Sequence, residues 1–341
     1  MHTCSKRELS LPEDRRVAQP RNRAGPVAAT PMHIVQFNHV RVPVSKYGGA
    51  ERIVVWLSQG LVELGHEVTL LAPKGSRVAG VRVVEVSPEE VLSSGFDLHR
   101  HVSEPVDIMH YHCEIRYPPP SVPCVWTLHG NMGGGWRADS RTICVSRDHA
   151  GRHGTHAFVR NGVRLDEYEF RTAKADYDLF LARLHSVKGW QVAIAAAKRC
   201  RVRLTLAGGW RPSFSRYIKF VGQVGGARKR ELLAGARCLW MPVRWEDPCP
   251  VNILEALASG TPIIGSPRGS LPELISPDTG GLGTTLEELV ALRGRLADWD
   301  PRACRARAER SFSHLVMAEE YVRMYRSVLE TGTLPPGRST P

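Results

Sequence analysis

Apolar and polar positions in the first half of the chain follow two alternating periods. Short apolar runs of strand length occur at 33–37, 67–72, 106–110, 123–128 and 142–145. A helix over about residues 50–64 is predicted by apolar residues at a helical spacing: Ile53, Leu57, Leu61 and Leu64. Gly65 follows as its stop. The strand, helix and second strand in succession predict a βαβ unit, and therefore a parallel sheet covered by helices.

The same alternation restarts after a turn-rich stretch at 160–176. The pattern predicts strands at 178–181, 202–206, 218–221, 237–241 and 262–265. It predicts helices near 188–199, 227–235 and 250–259. The chain is therefore predicted to be an α/β protein of two doubly wound, Rossmann-like halves. Such sheets bind ligands at the carboxyl ends of their strands, so we expect the site in the cleft between the halves.

A length of 341 residues fits two domains. We predict a disordered basic tail at 1–31, an N-terminal domain at 32–168, a C-terminal domain at 176–312 and a short tail at 332–341. The formal net charge is +12, but outside the leader the cations are scattered among acidic neighbours. This distribution argues against nucleic-acid binding and leaves room for weak contact with an anionic membrane or a phosphorylated substrate.

The eight cysteines include no C-x-x-C pair and most lie in apolar stretches, which indicates buried, reduced thiols. No apolar run is long enough to cross a bilayer and no signal-peptide hydrophobic region is present, so we expect a cytoplasmic protein. His110 and His112 share one side of an extended segment, a spacing that zinc can use. Without a third ligand, packing or an acceptor-pocket role is favoured over metal binding, and an exposed loop is the remaining alternative.

Three groups of residues have a chemistry suited to a nucleotide. Gly48 and Gly49 lie between the first strand and the first helix, where glycines let backbone amides approach a phosphate, although an ordinary tight turn explains them equally well. The spacing fails the G-x-G-x-x-G pattern, which argues against a dinucleotide dehydrogenase. Arg183 ends a predicted strand and Lys188 begins a predicted helix, so the two cations suit a diphosphate clamp or are solvated surface charges.

The third group is acidic. Asp247 and Glu255 lie eight residues apart across a loop-to-helix junction. A carboxylate accepts two hydrogen bonds at once and so suits a ribose diol or a pair of sugar hydroxyls. Acidic residues at a helix start are also simply good capping.

Taken in chain order, seven segments resemble the pattern of glycosyltransferase family 4. These segments cover roughly residues 32 to 330 and are Tyr47-Gly48-Gly49-Ala50-Glu51, Leu64 to Val68, Thr127-Leu128-His129-Gly130, Asn161-Gly162-Val163, Arg183 with Lys188-Gly189, Val221-Gly222, and Asp247 to Pro262.

The resemblance implies a retaining enzyme of the GT-B fold, in which a final helix at about 313–331 crosses back to the N-terminal domain. It implies a nucleotide-diphosphate-sugar donor in the C-terminal domain, an unidentified acceptor, and neither cofactor nor metal. It places His129 in the cleft near the reacting sugar. It further assigns donor binding to nine residues: Gly48 and Gly49 at the phosphates, Arg183 and Lys188 at the diphosphate, Glu255 at the ribose, and Asp247, Cys249, Pro250 and Val251 beside them.

The sequence departs from the family pattern in two places. The first acid of the usual glutamate pair is Asp247, one methylene shorter, with Glu246 beside it as a possible substitute. Thirteen residues separate His129 from Ile143, where many relatives carry longer insertions, so we expect an open acceptor side. Two rival readings stay open: a non-catalytic nucleotide-sugar-binding protein and, less favoured, an NAD-dependent oxidoreductase.

Overall fold

A computed structural model describes residues 30–44, 48–119 and 121–338 of the chain. The predicted tail at 1–31 therefore lies outside the described residues except for its last two positions. Tyr47 of the Gly-Gly segment and the end of the predicted tail at 332–341 also lie outside them.

Among the described residues, six parallel strands form the first sheet, in the order β3-β2-β1-β4-β5-β6. The strands are β1 His33–Phe37, β2 Glu67–Ala72, β3 Arg82–Glu85, β4 Ile108–Tyr111, β5 Cys124–Thr127 and β6 Thr142–Ile143. The helices of this half are α1 Gly49–Glu63, α2 Pro88–Val91 and α3 Arg147–Arg152. Every residue of β1, β4 and β5 is buried, as expected for parallel strands covered on both faces.

A second parallel sheet of six described strands has the order β12-β11-β10-β7-β8-β9. Its strands are β7 Asp178–Leu181, β8 Leu204–Ala207, β9 Ile218–Phe220, β10 Leu239–Met241, β11 Ile263–Gly265 and β12 Gly280–Leu282. Its helices are α4 Trp190–Cys200, α5 Gly226–Gly235, α6 Val251–Ala258, α7 Leu271–Leu274, α8 Leu286–Gly294 and α9 Pro301–Ser311.

The predicted α/β class of two doubly wound halves is confirmed, and each predicted strand and helix above lies within two residues of the structural bounds. In α1 the residues at the predicted helical spacing, Ile53, Leu57 and Leu61, are completely buried. Gly65 ends the helical segment with a φ of 87°, a left-handed conformation that glycine adopts without steric cost.

Some elements were not predicted, notably β3, β12, α8 and α9. Strand β3 is an edge strand whose terminal Arg82 and Glu85 are both exposed, so its apolar signal is only two residues long. Strand β12 contains two glycines. A Cβ on Gly280 would lie 2.1 Å from the carbonyl oxygen of Ile263, so close backbone packing replaces side-chain packing there.

The last helix, α10 His314–Thr331, returns from the second half and packs on α1 of the first half. The two helices approach closely at Gly60, where a Cβ would lie 2.9 Å from the Cβ of Ala318. Tyr321 and Tyr325 of α10 reach under the first sheet and hydrogen-bond with Thr127 and His110 at 2.8 and 2.7 Å. This helix therefore ties the end of the chain to the strands that carry the cleft histidines. The domain boundaries at 168 and 176 stay a prediction.

No helix in the described part of the chain is long and apolar enough to span a membrane.

Candidate functional site

A cavity of about 350 Å³ opens at the carboxyl ends of both sheets, and residues from both halves line it. Its size falls within the range of small-molecule sites. The structure brings all ten predicted site residues to this cavity: Gly48, Gly49, His129, Arg183, Lys188, Asp247, Cys249, Pro250, Val251 and Glu255. Their roles in binding and catalysis stay predictions.

The Gly48-Gly49 segment forms the start of α1 at the rim of the cavity. Gly48 has a φ of 140°, and a Cβ there would lie 2.6 Å from both the Cγ2 of Val44 and the Oε2 of Glu51. The chain therefore requires glycine at this position. The fifteen-residue helix α1 begins here, and its first backbone N–H groups have no partner within the helix. Such a helix end favours negative charge.

Lys188 is held at the cavity by the left-handed turn that starts α4. Gly189 has a φ of 74° and a Cβ there would overlap the carbonyl oxygen of Pro242, at 1.8 Å. The Nζ of Lys188 lies 2.5 Å from the Oδ2 of Asp247 and 4.5 Å from the ring centroid of Trp245. Arg183 lines the same cavity just beyond the end of β7. Two cations thus line the same cavity, as a diphosphate would require.

Of the two neighbouring acids Glu246 and Asp247, only Asp247 lines the cavity. Asp247 is 4% exposed, and its Oδ2 accepts hydrogen bonds from Lys188 and from the Nε1 of Trp245 at 3.1 Å. Glu246 faces away from the cavity, where it accepts a hydrogen bond from the backbone N–H of Gly269 and pairs with Arg268 at 3.0 Å. Glu246 therefore does not line the cavity, which argues against the suggestion that it substitutes for the usual glutamate.

Glu255 is the second acid, and three cationic or hydroxyl groups surround it. Its Oε1 accepts hydrogen bonds from the Nζ of Lys229 and, at 2.7 Å, from the hydroxyl of Tyr168, and it lies 3.5 Å from the Nη1 of Arg52. Burial lowers the pKa of Lys229, and the charge of Glu255 opposes that shift. Burial also raises the pKa of the Tyr168 hydroxyl, so it stays a donor.

Both acids are held through one oxygen only. No described residue donates a hydrogen bond to the Oδ1 of Asp247 or to the Oε2 of Glu255. Neither atom belongs to the buried polar atoms without a partner. Each carboxylate therefore keeps a second oxygen for a hydroxyl of a ligand.

The start of α6 is fixed by two asparagines that line the cavity. The Nδ2 of Asn252 donates to the carbonyl oxygen of Leu181 at 2.7 Å, and the Nδ2 of Asn161 donates to that of Cys249 at 2.9 Å. Burial raises the pKa of the Cys249 thiol to about 12. This cysteine therefore stays protonated and serves as an apolar wall, not as a nucleophile.

His129 follows β5 and lines the cavity from the side of the first half. Its Nε2 lies 3.0 Å from the Nδ1 of His112, and the two rings stack with centroids 5.3 Å apart. Burial lowers the pKa of His129 to about 4, with a smaller effect from the charge of His39. The ring is therefore neutral near pH 7.

His110 and His112 lie beneath His129. Both are buried, and the ring nitrogens of His110 contact Tyr325 and Thr127 at 2.7 and 2.8 Å. His110 is therefore a packing residue. Within residues 30–44, 48–119 and 121–338, no group of three or more His, Cys, Asp or Glu could hold a metal ion.

Three charged or aromatic residues that line the cavity were missed from the sequence, Arg52, Lys229 and Trp245, and so was Tyr168, whose hydroxyl donates to Glu255. The position of Lys229 could have been predicted from its spacing. It precedes Leu232 and Leu233 by one helical turn, which places all three on the buried face of α5. For the other three, no spacing in the sequence indicated their partners.

Two parallel sheets, a crossing terminal helix and a basic cleft at the strand ends define a protein of the GT-B class. The model for "Glycosyltransferase Family 4" matches residues 47–165, and that for "Glycosyl transferases group 1" matches residues 176–296. One model on each half of the chain supports a glycosyltransferase similar to family 4, which confirms the resemblance noted in the sequence.

Named relatives agree with this assignment. An MMP alpha-(1->4)-mannosyltransferase from Mycolicibacterium hassiacum is 37% identical over 109 residues, which are 29% of this chain and 26% of that protein. The chain thus spans about a quarter of the length of that curated relative. The structure of AviGT4, a glycosyltransferase involved in avilamycin A biosynthesis, is 28% identical with a TM-score of 0.72, covering 89% of this chain and 100% of that chain.

A more distant structure, HepE from Anabaena in complex with UDP and glucose, is 16% identical with a TM-score of 0.64. The match covers 87% of this chain and 100% of that chain, and it supports the GT-B fold.

Proposed function

We propose that this protein transfers a sugar from a nucleotide-diphosphate sugar to an acceptor hydroxyl, with retention of the anomeric configuration. One observation carries the proposal: a single cavity combines Arg183, Lys188 and the start of α1 with the buried Glu255. Cations and backbone N–H groups suit a diphosphate, and a carboxylate with one open oxygen suits a ribose diol.

The relatives support the same class of donor. HepE was crystallised with UDP and glucose, and the matched mycobacterial protein is named as a mannosyltransferase. These names concern those proteins and leave the base and the sugar of the present donor open.

In the proposed reaction the bond between the anomeric carbon and the diphosphate oxygen breaks, and a bond from that carbon to the acceptor oxygen forms on the same face. The acceptor proton passes to the leaving phosphate, whose charge Arg183 and Lys188 neutralise. We propose no protein nucleophile, because the oxygens of Asp247 and Glu255 that are not paired with a lysine are assigned to hydroxyls of the donor. We propose no metal ion either, because the two cations supply the positive charge.

The acceptor side is proposed to be open and to take a glycan, a lipid or a small secondary metabolite. Residues 130–141, all of them described, contain no helix, and Met132 there is exposed. The Nδ2 of Asn131 in this loop donates to the carbonyl oxygen of Glu246 at 2.7 Å, which bridges the two halves beside the cavity. A loop without a helix covers less of this side than a helical insertion would, which supports an open acceptor side.

The test is release of nucleotide from UDP-, GDP-, ADP- and dTDP-sugars, measured by mass spectrometry with and without cell extract as acceptor. Release that requires Lys188, with Lys198→Ala as a control on the exposed face of α4, supports the transferase. Proton NMR of the product shows whether the configuration at the anomeric carbon is the same as in the donor. Nucleotide binding without release or transfer would favour the non-catalytic binder, and a thermal shift with NADH alone would favour the oxidoreductase.

Weak contact with an anionic membrane is a separate proposal. Trp210 is 70% exposed and the Phe214 side chain is fully exposed, on a loop that also carries Arg211 and Arg216. Exposed aromatic residues beside arginines suit a membrane interface. Co-sedimentation with anionic vesicles that falls in the Trp210→Ser, Phe214→Ser double variant supports this contact, and equal sedimentation of both proteins contradicts it.

We also propose a cytoplasmic location, based on the cysteine content, which cell fractionation tests.

A further inference from the structure

The pair formed by the buried His112 and the half-buried His129 has an unequal set of hydrogen-bond partners. The Nδ1 of His112 lies 3.0 Å from the Nε2 of His129. The other ring nitrogen of His112, Nε2, is buried and has no hydrogen-bond partner. His129 lines the cavity, whereas His112 is 4% exposed beneath it.

Only one proton lies between the two rings, because both are neutral near pH 7. Burial lowers the pKa of His129 to about 4 and that of His112 well below its ordinary value. If His129 donated this proton, His112 would have to carry its own proton on Nε2, as a buried N–H without an acceptor. If His112 donates, its Nε2 is a bare acceptor instead. Orphaned buried N–H groups are rarer than unsatisfied buried acceptors, so the second arrangement is favoured.

The tautomer of His129 follows from this direction. A neutral imidazole that accepts at Nε2 carries its proton on Nδ1. The Nδ1 of His129 has no hydrogen-bond partner among the described residues and does not belong to the buried unpartnered atoms. It is therefore the nitrogen that remains for a ligand in the cavity.

We propose that His112 is a positioning residue that fixes His129 as the Nδ1–H tautomer, so that the cavity histidine presents a hydrogen-bond donor to an oxygen of the bound sugar or its leaving group. His129 in this state cannot remove the acceptor proton through Nδ1. Its effect on turnover rests on the proposed function, whereas the tautomer does not.

The tautomer is tested directly on the full chain labelled with ¹⁵N-histidine. Long-range ¹H–¹⁵N correlation spectra distinguish protonated from bare ring nitrogens, and the spectrum of a His129→Asn variant assigns the His129 signals. We expect a protonated Nδ1 and a bare Nε2 for His129. A wild-type spectrum with the proton on Nε2 of His129 overturns the proposal whether or not any donor is turned over.

Two variants of His112 test the positioning role. His112→Leu removes the donor, so the Nδ1–H signal of His129 should give way to a mixture of tautomers. His112→Asn places an amide nitrogen near the original Nδ1 and should restore the wild-type signal. With an active donor, kcat should fall about tenfold in the leucine variant for the loss of one hydrogen bond, at a little-changed donor KM, and recover in the asparagine variant.

Unchanged His129 signals and unchanged kcat in folded His112→Leu would contradict the positioning role. If the leucine variant fails to fold, failure of the asparagine variant to retain the Nδ1–H signal would contradict it as well. An enzyme that releases no nucleotide but shows the expected tautomers would contradict the proposed function alone.

Discussion

Lys188 and Asp247 form an ion pair that lines the cavity, with the Nζ of the lysine 2.5 Å from the Oδ2 of the aspartate. The aspartate is also held by Trp245, whose ring lies under the same ammonium group. An ammonium group has three donors, of which Asp247 uses one. The pair therefore keeps a buried carboxylate neutralised while Lys188 retains protons for a phosphate oxygen.

Removing the ammonium group should weaken the reaction of the donor. Lys188→Ala and Arg183→Ala should each lower kcat/KM by about tenfold to a hundredfold, because each removes a charge-assisted hydrogen bond of about 1.5–3 kcal/mol. Steady-state kinetics and thermal melting measure the effect, with Lys198→Ala on the exposed side of α4 as control. Equal kinetics in both variants and the control would show that neither cation acts on the donor.

Gly189 should be required for the position of Lys188. Gly189→Ala places a Cβ 1.8 Å from the carbonyl oxygen of Pro242 and in a left-handed conformation, so the turn must move. We expect a lower melting temperature and weaker nucleotide binding by calorimetry. Gly151→Ala on α3 is the matched control, because nothing lies within 4 Å of its Cβ. Equal melting temperatures for the two variants would show that the Gly189 turn adapts.

The buried Lys229–Glu255 pair should show strong coupling in a double-mutant cycle. Glu255→Ala leaves the buried Lys229 without its carboxylate and should cost about 3–5 kcal/mol. Lys229→Ala leaves Glu255 with Arg52 and Tyr168 and should cost less, and the double variant should cost less than the sum. Arg228 and Glu231 on the same helix α5 form an exposed pair and should show a coupling of about 1 kcal/mol or less. Free energies of unfolding from urea titrations measure both cycles. Coupling of equal size in both would mean that water reaches Glu255.

The sequence predicted which residues meet, because nine of the ten predicted residues lie near strand ends or helix starts, and Glu255 lies one turn further into α6. In parallel sheets those positions converge on one edge whatever the loop lengths are. The strands of strong apolar pattern, such as β1 and β7, were predicted with the same bounds that the structure has.

The partners of those residues could not be predicted. Arg52 of α1, Lys229 of α5 and Tyr168 of a connecting segment meet at Glu255, and Tyr168 and Lys229 lie 87 and 26 residues from it in the chain. No local periodicity in the sequence predicts contacts between residues so far apart in the chain. The side on which Glu246 and Asp247 point was also not predictable, because both lie in a loop whose backbone is set by Gly269.

Acid should destabilise the fold through its neutral buried histidines. Burial lowers the pKa of His110 and of His149 to about 3 and that of His129 to about 4. Below the ordinary histidine pKa of 6.5 the unfolded chain takes up protons that the native state does not. Stability is therefore fully present above that pH and falls as the pH drops toward the folded pKa values.

The contribution of a single histidine to stability can be measured from the slope of the unfolding free energy against pH. Each such histidine adds about 1.4 kcal/mol per pH unit once the pH is well below its unfolded pKa. His110→Asn should flatten the dependence of unfolding free energy on pH by about that amount, whatever its stability at neutral pH. The exposed His99→Asn variant serves as control. A slope in His110→Asn equal to that of the control would show that His110 is protonated in the native state.

His129→Ala should separate catalysis from packing. If this ring stabilises the transition state more than the bound donor, its loss lowers kcat far more than it raises the donor KM. A purely structural ring behaves differently: its loss leaves the Nδ1 of buried His112 without a partner, at a cost of about 1–3 kcal/mol in stability, and does not affect the reaction. Both quantities can be measured on one purified variant, with kcat expressed per folded molecule.

Because His129 lines the cavity while its partner lies beneath it, we expect both the fall in kcat and a lower melting temperature. A destabilised variant with wild-type kcat would remove His129 from the reaction and leave Lys188 and Arg183 as the groups that act on the donor.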